Sequence, residues 1–196
     1  MHPAGEIAVE PWPHAGCPPE ELRLVQAALD GERAAFDLLV QRHLPQVTTV
    51  VRRFVPDRDE VEDVVQETFV QAFRKLATFR GEATLRTWFI RIAVNLCRRR
   101  RRTFWRRRVW VTDETDQLRP DAVDPRALAE EAVLQQIVAE AVRRLPERLR
   151  LPLVLHVYDQ LTGAEVAAVL GWNESTVWTR IYAAQRELKK QLSELR

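Results

Sequence analysis

A chain of 196 residues, 46% hydrophobic and 30% charged, carries enough apolar material for one large or two small cores. No apolar run approaches the ~20 residues of a bilayer span and the N-terminus lacks a secretory apolar core, so the expected location is cytoplasmic. The net charge of +2 hides a local asymmetry: lysine stands only at Lys75, Lys189 and Lys190, and arginine supplies nearly all the positive charge.

Residues 1–19 hold Pro3, Pro11, Pro13, Pro18 and Pro19 with Gly5 and Gly16, a composition that predicts a flexible N-terminal extension. From Glu20 the pattern is helical. Leu22, Val25, Ala28 and Leu29 form one stripe, ended by Asp30-Gly31. A second helix carries Phe36, Leu39, Val40 and His43, and Pro45 is expected to start or kink a third, with Val47, Val50, Val51 and Phe54 inward. After Pro56-Asp57, Asp59 is placed to cap a helix from Glu60 to about Leu76, with Val64, Val65, Phe69 and Phe73 inward. A loop at Phe79-Arg80-Gly81-Glu82 leads to Thr84, which can cap the next helix. No segment alternates as a strand does.

That next helix runs from well-spaced apolar residues into Asn95 and then Arg98 to Arg102, with Arg106 to Arg108 following around Phe104 and Trp105. Consecutive arginines wrap round a helix and cannot all face a core. Their mutual repulsion is relieved by an anionic polymer that exchanges its counterions for them, which points to nucleic acid.

Asp113, Glu114, Asp116, Asp121 and Asp124, with Pro120 and Pro125, make residues 111–127 an acidic flexible linker. Helical patterning resumes over Leu128–Leu145, with Leu128, Val133, Ile137, Val138, Ala141 and Leu145 available for burial. Pro146 begins another helix. Residues 161–171 then lead through Gly171 into Trp172-Asn173-Glu174-Ser175-Thr176-Val177-Trp178-Thr179-Arg180-Ile181, which reads as a helix-turn-helix. Ala167 permits close helix approach, Gly171 can take a positive φ, and Val166, Leu170, Val177 and Ile181 fill the wedge. Asn173 or Ser175 can cap the second helix.

The fold class expected is therefore all-α, two small helical domains joined by an acidic linker, the C-terminal one a helix-turn-helix. The expected divisions are 1–19, 20–110, 111–127 and 128–196. Cys17 and Cys97 are too few and too unlike in context for a disulfide framework. His14 and Cys17 lack a second pair of metal ligands, and no Gly-rich phosphate loop or Ser-His-Asp, Cys-His or HExxH grouping is present. Neither metal, cofactor, small-molecule substrate nor enzymatic activity is expected. Asp63, Gln66 and Glu67 share one helix face at i, i+3, i+4 spacing and suit either a basic protein partner or plain solvation.

The ordered series Asp-Val-Val-Gln-Glu-Thr-Phe, Phe-Arg-Gly, Leu-Arg-Thr-Trp, Arg-Ile-Ala-Val-Asn, Leu-Pro-Glu-Arg and Ser-Thr-Val-Trp-Thr-Arg resembles a bacterial RNA polymerase sigma factor of the extracytoplasmic-function (ECF) group. The resemblance covers about 21–109 and 130–192. It implies a protein that binds core RNA polymerase, directs it to promoters and helps melt them. It gives Asp63, Gln66 and Glu67 to the polymerase clamp helices. Arg80, Arg91, Asn95, Arg98, Arg99 and Arg100 go to the opened −10 element, where a base is flipped out and read along its edge. Glu174, Ser175, Thr176, Trp178, Thr179, Arg180 and Tyr182 go to the −35 element. It also implies an anti-sigma factor, often membrane-bound, as a partner. Trp178, Ala183 and Gln185 depart from the family's basic residues, and Trp178 suits a thymine methyl or a protein surface. The competing classes are a helix-turn-helix regulator that binds duplex DNA without polymerase, and an interaction module for an acidic protein.

Overall fold

A computed structural model describes residues 16–55, 57–104 and 136–193. Residues 1–15 of the extension expected over 1–19, Arg106 to Arg108, the acidic linker, and Leu128 and Val133 lie outside the described residues. The last part of that extension is not a flexible segment, because Cys17 is buried in the core and Pro19 opens a helix. Helix α1 (Pro19–Leu29) starts on a proline at N1, where the missing N–H costs nothing, and ends at Asp30 before Gly31 with φ 102°. Helix α2 (Arg33–Arg52) runs unbroken through Pro45. The break expected there is absent because Phe36, Leu39, His43, Val47 and Val50 form one continuous buried stripe, whereas Pro45 and Gln41 face solvent. Burial of the stripe holds the helix, and the carbonyl that loses its helical N–H to the proline belongs to the exposed Gln41.

Helix α3 (Arg58–Lys75) is capped by Asp57, not Asp59: its Oδ1 accepts from Asp59 N at 2.9 Å and Glu60 N at 3.2 Å. Asp57 has the extended backbone of a cap, and Asp59 falls in the first turn, where its charge favours the helix dipole. Phe73 does not turn inward; it is half exposed, edge-on to Phe36 at 5.0 Å. A 3-10 turn (Leu76–Thr78) and a loop precede α4 (Leu85–Phe104), which carries the first arginine run into its last turns. Thr84 caps α4 as expected, its hydroxyl accepting from Thr87 N at 3.1 Å. Leu39, Val64, Phe69, Leu85, Phe89 and Leu96 fill the core of these four helices, and Cys17 and Cys97 are free and buried.

Residues 136–144 form α5, followed by α6 (Glu147–Val157), α7 (Gly163–Leu170) and α8 (Glu174–Ser193). Of the α5 side chains expected inside, Ala141 is buried but Ile137 is exposed. The core of this half contains Val142, Leu155, Val166, Leu170, Val177 and Ile181, and it also takes in Val50 from α2 and Ile90 and Val94 from α4. The two halves therefore pack directly on each other. Polar contacts seal the seam: Arg53 Nε lies 3.0 Å from Asp159 Oδ1, Arg86 Nη2 donates to the Asp159 carbonyl at 2.7 Å, and the Thr87 hydroxyl donates to Glu165 Oε1 at 3.0 Å. Among the described residues there is no strand, and no helix is long and apolar enough to cross a membrane.

Candidate nucleic-acid interface

The arginine helix is positioned from below. Ile92, Ala93, Leu96 and Cys97 are buried on α3 and α2, so Arg91, Asn95 and Arg99 stand exposed on the opposite side, with Arg98 half-buried beside them. Together with Gln71 and Lys75 of α3 and Thr78 of the 3-10 turn, they border an open groove of about 680 Å³. Trp88 forms part of its wall, held between Phe79 at 5.4 Å and Phe89 at 5.5 Å. Among the described residues, the lining has four cations, Lys75, Arg91, Arg98 and Arg99, and no carboxylate. A groove of this size accepts a base-sized group; small-ligand sites run roughly 300–1,000 Å³. An aromatic wall, an exposed amide and surrounding cations supply stacking, edge recognition and backbone neutralisation respectively.

Two expected groove residues stand elsewhere. Arg80 is exposed in the loop after the 3-10 turn and is not part of the lining. Arg100 turns the other way, its Nη2 2.8 Å from Glu67 Oε2 and its Nη1 4.0 Å from Asp63 Oδ2. Gln71, Lys75 and Thr78 belong to the lining and were not among the residues expected there. Their i, i+4, i+7 spacing, with one of only three lysines in the chain, was the available signal.

On α3, Asp63 and Gln66 are exposed, while Glu67 is half-buried and also accepts from Gln71 Nε2 at 3.0 Å. The exposed apolar side chains of Val70 and Phe73 extend this face by another turn and a half. The face thus offers carboxylates at one end and apolar area at the other.

The C-terminal pair of helices has helix-turn-helix geometry. Thr162 and Glu165 form a reciprocal capping box: Glu165 N donates to the Thr162 hydroxyl at 3.2 Å, and Thr162 N donates to Glu165 Oε2 at 2.9 Å. The Thr-x-x-Glu spacing is the sequence signature of this box. Burial alone would raise the Glu165 carboxyl, but the hydrogen bonds from Thr162 and Thr87 and the nearby Arg86 hold it below its ordinary value. Gly171 adopts φ 69°, the left-handed conformation expected of the turn. Asn173, rather than Ser175, directly precedes α8.

On α8, Glu174, Ser175, Thr179 and Tyr182 are exposed, and Thr176 and Arg180 are half-buried. Trp178 is engaged within its own domain. Its ring meets His156 edge-on at 5.0 Å, stacks on Tyr182 at 6.1 Å, and its Nε1 donates to Glu174 Oε1 at 3.2 Å. Gly163 makes room for it: a Cβ there would sit 2.7 Å from Trp178 Nε1 and from Glu174 Oε1. The indole face is thereby committed to the domain, and Tyr182 is the aromatic that α8 presents to solvent.

Comparison with known proteins agrees with this geometry. The family described as Sigma-70 region 2 matches residues 39–107, and Sigma-70, region 4 matches residues 135–188. The chain is 32% identical over 184 residues to RNA polymerase sigma-H factor of Pseudomonas aeruginosa, covering 90% of this chain and 95% of that one. It is 34% identical over 182 residues to ECF RNA polymerase sigma-E factor of Escherichia coli strain K12, covering 88% and 94%. Its structure superposes with a TM-score of 0.64 on CnrH in a complex with the cytosolic domain of CnrY, at 28% identity and covering 89% and 98%. The fold also matches, with a TM-score of 0.59 at 21% identity and coverage of 81% and 96%, the sigma factor RpoE of Bartonella quintana crystallised with the anti-sigma factor NepR. The chain belongs to the ECF group of the sigma-70 family of RNA polymerase sigma factors.

Proposed function

We propose that this sigma factor acts in the cytoplasm, binds core RNA polymerase through Asp63, Gln66, Glu67 and the adjoining Val70–Phe73 surface, and directs it to promoters without bond chemistry of its own. Residues 20–110 form the polymerase-binding and −10-binding unit, residues 111–127 the linker, and residues 128–196 the −35-binding unit. The observation that carries this reading is the cationic groove on α4, where Asn95 stands exposed among Arg91, Arg98, Arg99 and Lys75 beside Trp88. Bases in a duplex are stacked and paired, so a groove that accepts a base-sized group is served by an opened strand with a base turned out of the stack. Asn95 pairs with that base, and the cations hold the backbone. Helix α8 lies in the major groove of the −35 element, with Thr179, Arg180 and Tyr182 available to it. An anti-sigma factor is the natural antagonist, by analogy with the complexes in which structural relatives were crystallised.

Opening of the seam is part of this function. At 3.4 Å per base pair the ~25 pairs between −10 and −35 elements span about 85 Å. A compact chain of this length has a radius of gyration of only about 16 Å. With α4 hydrogen-bonded to α7, the two reading surfaces cannot reach both elements, so polymerase binds the separated form.

Run-off transcription with purified core polymerase over a promoter library tests the reading. Promoter-specific transcripts are expected. Asn95→Ala should impair a subset of promoters, whereas neutralising Arg98 and Arg99 should weaken all of them and flatten the log–log salt dependence by about 0.7 per lost single-strand phosphate contact. Tight binding of duplex DNA by the isolated protein, with no polymerase-dependent transcript, would identify it as a free-standing regulator instead.

A further inference from the structure

Arg100 continues the buried stripe of α4, standing four residues after Leu96 and three after Cys97, and emerges where the core ends against α3. Its side chain is 37% exposed and reaches Glu67, itself 38% exposed, at 2.8 Å, with Asp63 at 4.0 Å. One guanidinium therefore joins two surfaces that the proposed function gives to different macromolecules. Its neighbours in sequence, Arg98 and Arg99, line the cationic groove. Its partners are the carboxylates of the polymerase face.

We propose that Arg100 is a shared cation, held on Glu67 and Asp63 in the free protein and released to the promoter backbone when a basic surface of core polymerase takes those carboxylates. The identity of the basic partner rests on the function proposed above; the exchange itself does not. Two features make the exchange feasible. The ion pair is half exposed, so it is weak enough to be replaced, and arginine's planar fork serves a carboxylate and a phosphate equally well. Glu67 also accepts from Gln71 of the groove lining at 3.0 Å, so the pair stands one hydrogen bond from the groove, and rotation about the bonds of Arg100 would carry its charge toward it. Until exchange occurs, the free protein meets single strands with one cation fewer and meets polymerase with Glu67 already paired. Each ligand then favours the other, because binding free energies are linked reciprocally.

The test uses the full-length protein and a short fluorescent single-stranded oligodeoxynucleotide, titrated over a range of salt without polymerase. Glu67→Gln should free Arg100 from its close pair and leave only the 4.0 Å approach to exposed Asp63, raising affinity about 2- to 5-fold, as expected for one half-exposed pair. It should also steepen the log–log salt slope by about 0.7, the signature of one added phosphate contact. In Glu67→Gln/Arg100→Gln that steepening should vanish, because the released cation is gone. Equal slopes in wild type and Glu67→Gln would overturn the proposal, and so would a steeper slope that persists in the double variant, since loss of a repulsive carboxylate would then suffice. Core-polymerase affinity supplies the second arm: Arg100→Gln should bind polymerase about 2- to 5-fold more tightly, its carboxylates being free. Glu67→Gln that binds core normally would sink the polymerase reading, whereas weakened core binding with unchanged salt slopes would sink the exchange alone.

Discussion

Asp159 gives the seam between the two halves an unexpected dependence on pH. Its side chain is only 2% exposed, and burial pushes its carboxyl from 3.8 up to about 6 despite the opposing pull of Arg53, paired with it at 3.0 Å, and of Arg86. When the halves separate, the group returns to water and to an ordinary carboxyl pKa. A raised pKa in the closed form means that the closed form holds its proton more tightly, so closure is favoured in acid and loses that advantage as pH rises from about 4 through about 6. Two pKa units correspond to a ceiling of about 3 kcal/mol, with closure weaker by that much near neutrality than in acid. Glu165 runs the opposite way, since its lowered pKa removes stability only as pH falls below its ordinary 4.5. Between about pH 7.5 and pH 5 Glu165 is silent, and the comparison with Asp159→Asn separates Asp159 from the buried His43, which burial holds below its ordinary value. Energy transfer between fluorophores on E32C and Q185C, both exposed positions, follows the separation. The native thiols will not compete for label, because burial raises Cys17 to about 11 and Cys97 to about 12. Transfer should rise on acidification, and Asp159→Asn, which mimics the protonated carboxyl, should stay closed and insensitive to pH. Opening on acidification, or opening of Asp159→Asn at neutral pH, would mean that the Arg53 pair outweighs burial and that the sign of the argument is wrong.

Thr162→Ala removes one arm of the capping box and should cost about 1 kcal/mol in urea unfolding. Because Glu165 also accepts from Thr87, the same change should loosen the seam and lower the energy transfer just described. Gly163→Ala should cost about 1–3 kcal/mol by overpacking, since its Cβ meets Trp178 and Glu174 at 2.7 Å. A change in indole fluorescence should accompany it; an unchanged spectrum and stability would mean that Trp178 is not seated against α7. Gly171→Ala meets no atom within 4 Å, so its expected loss of roughly 1–2 kcal/mol is backbone strain at φ 69° alone. A neutral result in urea unfolding would refute that assignment.

The sequence revealed elements governed by local rules and concealed what depends on distant residues. The helix-turn-helix was legible because a left-handed glycine, a small residue and an apolar wedge lie within one short segment. Thr84 as a cap and Asp30-Gly31 as a stop were legible for the same reason. Pro45 misled because its local preference is real but weaker than the burial of Leu39, His43, Val47 and Val50 on either side of it. The groove was half legible: Asn95 and Arg98 announce themselves, whereas Lys75 matters only once α3 is laid beside α4. Arg100 looked equivalent to Arg98 and Arg99, and only packing shows that it faces Glu67. The seam was not legible at all, since Arg53 and Asp159 are 106 positions apart and nothing near either one specifies the other.

Val50, Ile90 and Val94 bear on temperature. They belong to helices of the first half yet are buried in the core of the second, so each separation of the halves wets apolar surface. The favourable contribution of such burial is mainly entropic near 25 °C and fades on cooling. The apolar part of the seam should therefore loosen in the cold and tighten on warming until the chain as a whole melts. A cold cell would hold more of this sigma factor open and ready for polymerase, and a warm one would hold more of it shut.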